Sequence, residues 1–278
     1  MDTDKFTRLS PEEYKRQTRM HWGADPCGSN YSDKVFLTKE YFEEVERHRY
    51  ASHPWILKAI QGFDIEGKKV LEIGYGMGTD HLAMARRGAV MYGIDLTPMN
   101  YEVTRKRFEI FGMASDLSIG DAEKLPFPDG YFDFVYSFGV IHHSPDTRGI
   151  VSEIRRVLAP GGKCFLTVYH KRSMFFWWSV YLFNYLLKGG RKRRTLEQQL
   201  SLIEYPNTNE NMVIRLFTRA EFEAMFRGFS RVDCHVKHLL PVDIEFFSRF
   251  FKDRYRPVPF LDRVGTRLGW YLVAEAVK

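Results

Sequence analysis

The run Val70-Leu71-Glu72-Ile73-Gly74-Tyr75-Gly76-Met77-Gly78-Thr79 constrains this chain more than any other stretch. A short apolar segment enters three glycines at alternate positions, and a helix-compatible segment follows. Glycine there permits a tight turn and lets a ligand approach the backbone with no Cβ in the way. The pattern is a strand, a loop and a helix, with the ligand received at the strand's C-terminal end. Spacing narrows the ligand. A dinucleotide fingerprint needs its third glycine three residues after the second, and that position is Thr79. Glu72 adds a carboxylate beside the loop, which repels a pyrophosphate and attracts a cationic amino group or sulfonium.

Downstream, short apolar strands alternate with helices. Strands are predicted over 69–73, 89–94, 117–119, 132–137 and 164–169, with helices over 79–87, 98–111 and 147–158. A helix over 219–226 and strands over 232–238 and 270–277 close the chain. Such alternation means right-handed crossovers and a mostly parallel sheet covered on both faces, here a doubly wound α/β sheet of seven strands. Two carboxylates fall at successive strand ends. Asp95, 21 residues beyond Gly74, ends the second strand, where it can accept hydrogen bonds from both hydroxyls of a ribose. Asp121, in Gly120-Asp121-Ala122, follows the third strand, where an adenine amino group can be read. Either acid alone is as compatible with a solvated loop or a helix cap.

Residues 1–62 read as an N-terminal helical cap on a domain of residues 63–278. Ser10-Pro11-Glu12-Glu13 has the order a helix start prefers, and 38–60 is helical with a break near Ser52-His53-Pro54. Residues 22–28 between them read as an aromatic, glycine-containing loop. Two stretches interrupt the later alternation, 171–217 and 242–267, and are read as insertions forming a lid over the sheet.

With 278 residues and 44% hydrophobic content, the chain can bury one full core. Cys27, Cys164 and Cys234 are far apart, odd in number and in no Cys-x-x-Cys spacing, which argues against a disulfide framework or a zinc site; no metal is expected, and a cytoplasmic setting is. The N-terminus has no apolar secretory core, and no segment reaches the roughly 20 apolar residues of a membrane span. A net charge of +6 favours an anionic partner without identifying it.

The chain resembles the type 11 class I methyltransferases, the group that includes quinone-biosynthesis methyltransferases. The matching residues are the loop Glu72 to Gly78, Asp95, Gly120-Asp121-Ala122 with Leu125-Pro126-Phe127, and the strand Phe132-Asp133-Phe134-Val135. The turn Val140-Ile141-His142-His143 and Arg156-Val157-Leu158-Ala159-Pro160-Gly161-Gly162-Lys163 complete the set. The resemblance implies S-adenosylmethionine as cofactor, with S-adenosylhomocysteine as product. It places Gly74, Gly76 and Gly78 at the cofactor's amino-acid end and Asp95 at the ribose, with Glu72, Tyr75 and Leu96 also counted as cofactor-binding. Asp121 and Ala122 then face the adenine, and Phe138 lies near the methyl group. Tyr75 departs from the small residue common at that loop position and is expected on the pocket wall. Methylases of exocyclic base nitrogens or glutamine amides carry an Asn/Asp-Pro-Pro-Tyr turn after the fourth strand. Here the turn is Ser137-Phe138-Gly139-Val140, which disfavours that chemistry.

Methyl transfer needs a base only when the acceptor carries a proton it does not lose readily. His142 and His143, just past the fourth strand, are the candidate catalytic residues. The alternative has one packing on the following helix and the other lining its start near Asp146. Tyr14, Trp22, Tyr31, Tyr169 and Trp178 are candidate acceptor contacts, and His170 pairs with Tyr169 as a second choice of base; core packing explains these residues as well. Residues 171–187 are apolar nearly all round and precede Lys188-Gly189-Gly190-Arg191-Lys192-Arg193-Arg194; residues 246–256 again mix aromatics with cations. A peripheral membrane contact through 173–194, a hydrophobic-acceptor pocket, a packed lid helix and a dimer contact all suit this composition. The favoured function is methylation of a small, lipophilic or lipid-linked acceptor at oxygen or carbon. The alternatives are an RNA or protein methyltransferase and a non-catalytic S-adenosylmethionine-binding regulatory protein.

Overall fold

The computed structural model describes residues 10–204 and 214–278. Residues 205–213, within the first expected insertion, and residues 1–9 lie outside the described residues. In chain order the helices are α1 (Pro11–Ala24), α2 (Lys39–Ser52), α3 (Pro54–Gly62), α4 (Thr79–Ala85), α5 (Pro98–Phe111), α6 (Thr147–Val157), α7 (Leu196–Ser201), α8 (Arg219–Glu223) and α9 (Pro259–Leu268). The strands are β1 (Lys69–Ile73), β2 (Val90–Asp95), β3 (Asp116–Ile119), β4 (Phe132–Phe138), β5 (Leu158–His170), β6 (Leu216–Phe217), β7 (Arg231–Lys237) and β8 (Tyr271–Val277).

The sheet order is β3-β2-β1-β4-β5-β8-β7, with β8 antiparallel to both of its neighbours and the other pairs parallel. Side chains of alternate parity define the two faces. Leu71, Val135, Leu166 and Leu272 pack with Ile150, Val151 and Ile154 of α6 and Phe222 of α8. Val70, Phe134, Phe165 and Val273 pack with Ile56 and Ile60 of α3, Leu82 and Met84 of α4 and Phe108 of α5. A sheet buried on both faces needs this two-sided apolar supply.

The elements match the sequence reading closely, with four differences. The helix opening at Ser10, whose hydroxyl accepts from Glu13 N, runs through Trp22, Gly23 and Ala24, which were expected as loop. The position a Gly23 Cβ would take lies 3.5 Å from Thr97 Cγ2, so close packing on the β2–α5 turn accompanies helix where glycine propensity disfavours it. An eighth strand, β6, pairs with Tyr169 and His170 of β5 beyond the last residues that β4 pairs. β5 begins at Leu158, six residues early, through an irregular register against Phe132 and Phe134. The helix expected over 219–226 tightens into a 3₁₀ turn at Ala224–Phe226.

The first insertion holds a wide-turned helix, Phe175–Leu187, of π type. The second ends in α9, which lies along β7. The two are bonded together: Trp178 Nε1 donates to Glu245 O (2.8 Å), Ser179 Oγ donates to Asp243 O (2.6 Å), and Lys188 pairs with Glu245 (3.2 Å). All three cysteines are free. Among the described residues no helix is long and apolar enough to cross a membrane.

Candidate functional site

The glycine loop leaves β1 and turns into α4 with Gly74, Gly76 and Gly78 all at positive φ. Two of the three have no room for a side chain. A Cβ on Gly74 would meet Val140 at 2.3 Å, and one on Gly78 would meet Thr104 at 2.7 Å. Gly76 is different: nothing lies within 4 Å of its Cβ position, so the loop keeps an open cradle there. From α5, Thr104 Oγ1 donates to Gly76 O (2.8 Å), and the buried Arg107 donates to Met77 O (3.0 Å) and Thr79 Oγ1 (2.6 Å). These bonds tie the loop's carbonyls at Gly76 and Met77 to α5.

Asp95 ends β2 facing that loop. Its carboxylate accepts from Gly76 N (3.0 Å), Thr97 N (2.9 Å) and Asn100 Nδ2 (3.1 Å). Burial outweighs these bonds and pushes its pKa up. Leu96 is half-buried beside it. Asp121, after β3, accepts from Glu123 N (2.9 Å) and pairs with Lys15 of α1 (2.6 Å), which also bonds Glu123; Ala122 packs on the core below. The N-terminal helix is therefore fastened to the third loop by an ion pair that no local pattern announces.

Glu72 sits differently from its expected place as a charge beside the loop. It is 3% exposed and lies 2.8 Å from His81 Nδ1. Ser115 Oγ donates to Met91 O, so it accepts from His81 Nε2–H (2.7 Å), and the bare Nδ1 then accepts from a protonated Glu72. Burial, with the nearby Asp80 charge, raises the Glu72 pKa well above the ordinary range, and burial lowers His81 to about 3. A neutral pair follows. Tyr75 is buried too, its ring against Gly93 and its hydroxyl donating to Ser118 O (3.0 Å).

The charge near the loop comes instead from Asp80, in the first turn of α4, which receives Arg49 Nε (2.8 Å), Tyr50 OH (3.1 Å) and Tyr136 OH (2.8 Å). Burial opposes its ionisation, but the Arg49 charge and these bonds win and lower its pKa. Arg49 also stands 4.8 Å over the ring of Phe138. Phe138 is flanked by His53, Trp55 and Tyr271, with ring centroids 5.0–6.1 Å away. Tyr271 continues to Tyr169 (5.6 Å), Tyr169 to Trp270 (4.3 Å), and Trp270 to Phe175 of the insertion (4.8 Å). An aromatic wall thus runs from the glycine loop's neighbour to the first insertion.

His142 is fully buried between His143 (4.2 Å) and Tyr169 (4.0 Å), and burial holds its pKa well below 6.5. His143 Nε2 lies 2.9 Å from Glu204 Oε2, and Tyr169 OH donates to the same carboxylate. His143 therefore meets the first insertion rather than Asp146, whose side chain caps α6. Glu204 was missed by sequence reasoning, and nothing in its neighbourhood signals it. Trp22 lies 6.0 Å from the His143 ring, Tyr14 is buried on α1, and Tyr31 stacks on His48 (4.0 Å). Trp178 joins none of these; it ties the insertions together. His170 bonds Gly269 O (3.1 Å).

The strand order, the single reversed strand and three loops at successive strand ends define a class I methyltransferase fold, and the open backbone at Gly76 and the carboxylate of Asp95 fit S-adenosylmethionine. Residues 71–166 match the family model described as a methyltransferase domain, type 11. These residues therefore form a methyltransferase domain of type 11. A fatty-acid O-methyltransferase of Mycolicibacterium smegmatis is 37% identical over 142 residues, covering 47% of this chain and 51% of that protein. A sterol 24-C-methyltransferase of Gibberella zeae is 41% identical over 172 residues, covering 58% and 41%. The chain thus spans about half the length of such curated relatives. The solved S-adenosylmethionine-dependent methyltransferase of Mesorhizobium loti superposes with a TM-score of 0.56 at 20% identity, over 82% of this chain and 98% of that one. It shares the fold.

Proposed function

We propose that this protein moves a methyl group from S-adenosylmethionine to a small lipophilic or lipid-linked acceptor, at oxygen or carbon. The observation that carries the acceptor class is the largely buried aromatic row from Phe138 to Phe175, which makes the region between the end of β4 and the first insertion apolar. Fatty acid and sterol in the names of the two relatives point the same way.

The cofactor supplies a methyl already activated on a sulfonium, so this chain's residues need chiefly to position the acceptor and exclude water. In this reading Gly74, Gly76 and Gly78 leave backbone room, Asp95 takes the ribose hydroxyls, Leu96 and Ala122 line the base, and Asp121 reads it. The ring of Phe138 faces the methyl-bearing end, where an aromatic face is attracted to positive charge. Arg49 already stands over that ring, at 4.8 Å. For a hydroxyl acceptor, the His143–Glu204 pair is the candidate proton-handling group, with Tyr169 bonded to the carboxylate.

A second element of the reading is peripheral contact with an anionic membrane. Trp177, Leu187, Phe246, Phe247 and Phe250 are exposed on the bonded pair of insertions, with Arg191, Lys192 and Arg193 exposed beside them. Aromatics flanked by cations are what an interfacial surface uses.

The test incubates the protein and methyl-labelled cofactor with fractionated extract of the source cells. Label in the organic phase supports the lipophilic acceptor. Label confined to acid-precipitable material overturns it, and nuclease or protease sensitivity then separates RNA from protein. Cofactor binding without transfer to any fraction overturns the enzymatic reading.

A further inference from the structure

His142 and His143 are consecutive residues of a single 3₁₀ turn, Ile141–His143, at the C-terminal edge of β4. Their side chains converge with Glu204, delivered by the first insertion. A ring nitrogen from each histidine and a carboxylate oxygen of Glu204 lie within 4.8 Å of one another, the one such grouping of three among the described residues. Small side-chain rotations bring donors at that spacing to the roughly 2.0–2.2 Å that a bound ion requires.

The second observation is His142 itself. Its side chain is fully buried, and neither Nδ1 nor Nε2 has a hydrogen-bond partner among the described residues. An imidazole carries one donor and one acceptor, and a buried group left unpaired costs about 1–3 kcal/mol. Folded proteins seldom keep both nitrogens dry. The rings of His143 and Tyr169 pack against this imidazole without answering its polarity. A metal ion beside the ring would take the lone pair.

We propose that His142, His143 and Glu204 bind one divalent transition-metal ion of the zinc or iron(II) class. Two imidazoles and one carboxylate select such ions over magnesium or calcium, which prefer all-oxygen shells. Three protein ligands with the remaining positions open are the pattern of a catalytic rather than a structural site. Tyr169 OH, donating to Glu204, supplies the outer bond that fixes a ligating carboxylate. If the methyltransferase reading holds, an open position on the ion is a place for an acceptor oxygen beside the aromatic wall; metal binding itself does not depend on that reading.

The test uses the untagged full-length protein, stripped with EDTA. Zinc chloride is titrated by calorimetry, and cobalt(II) is followed by its visible absorption. The expected result is one equivalent bound per chain, a cobalt spectrum with nitrogen ligation and a higher thermal midpoint with zinc. Glu204→Gln and His142→Gln should each weaken binding at least about 10-fold, no less than the loss that follows from removing even an outer partner. Absence of stoichiometric binding overturns the proposal. So does unchanged affinity in Glu204→Gln, which would move the ion elsewhere, for instance to the stacked His53–His238 pair. Because His142 is buried and its variant can unfold, Glu204→Gln decides. S-adenosylhomocysteine affinity measured on the same metal-free samples reports separately on the methyltransferase reading.

Discussion

Asp95→Ala tests the cofactor site at the residue with the most connections. The substitution removes the acceptor for Gly76 N–H, Thr97 N–H and the Asn100 amide. Thr97 and Asn100 are buried, so their donors lose a partner without gaining full access to water, at about 1–3 kcal/mol each. Gly76 lies beside open space, and water can replace its bond. Relief of a buried carboxylate offsets part of the loss, since burial already disfavours its charge. The expected net loss of folding stability is about 1–4 kcal/mol. Removing the charge-assisted bonds to the ribose should weaken S-adenosylhomocysteine binding by about 1–3 kcal/mol, roughly 5–150-fold. Urea denaturation reads the first quantity. Calorimetric titration of the folded variant reads the second. Unchanged affinity at an unchanged fold would refute the ribose role, and a destabilised variant that binds normally when folded would reduce Asp95 to a loop brace.

Three further outcomes are expected. Gly76→Ala should cost the fold only the left-handed backbone penalty, about 1–2 kcal/mol, while lowering S-adenosylhomocysteine affinity; Gly78→Ala should destabilise more because its Cβ meets Thr104. Paired denaturation and titration check this, and equal effects of the two on both quantities would sink it. Burial raises Asp243 to about 7 from 3.8, so the folded state holds a proton that the unfolded chain has lost, and stability falls as pH climbs through 7. Asp243→Asn keeps an acceptor for Leu240 N and lacks this slope, so it should gain about 2–3 kcal/mol on the native protein between pH 5 and 8 by urea denaturation; parallel profiles would disprove the assignment. Replacing Arg191, Lys192, Arg193 and Arg194 with glutamine should weaken sedimentation with anionic vesicles, by up to ~1 kcal/mol per charge. A native protein that fails to bind vesicles at low salt removes the membrane contact.

What the sequence determined by itself is local. The glycine loop, the strands, the break at His53-Pro54 and the cap at Ser10 follow from backbone preferences and from the two-sided apolar supply a parallel sheet demands. The placement of Asp95 and Asp121 at strand ends was legible because chain order alone fixes that neighbourhood. The partners of those residues were not. Lys15 on Asp121, Arg49 on Asp80 and Glu204 on His143 join positions distant in the chain, and no periodicity encodes them. The tertiary structure also reversed the electrostatic expectation for Glu72. Charge depends on burial and on the neighbour's own hydrogen bonds, and both are properties of the packed chain: Ser115, bound to Met91, fixes which nitrogen of His81 carries the proton, and so leaves Glu72 neutral.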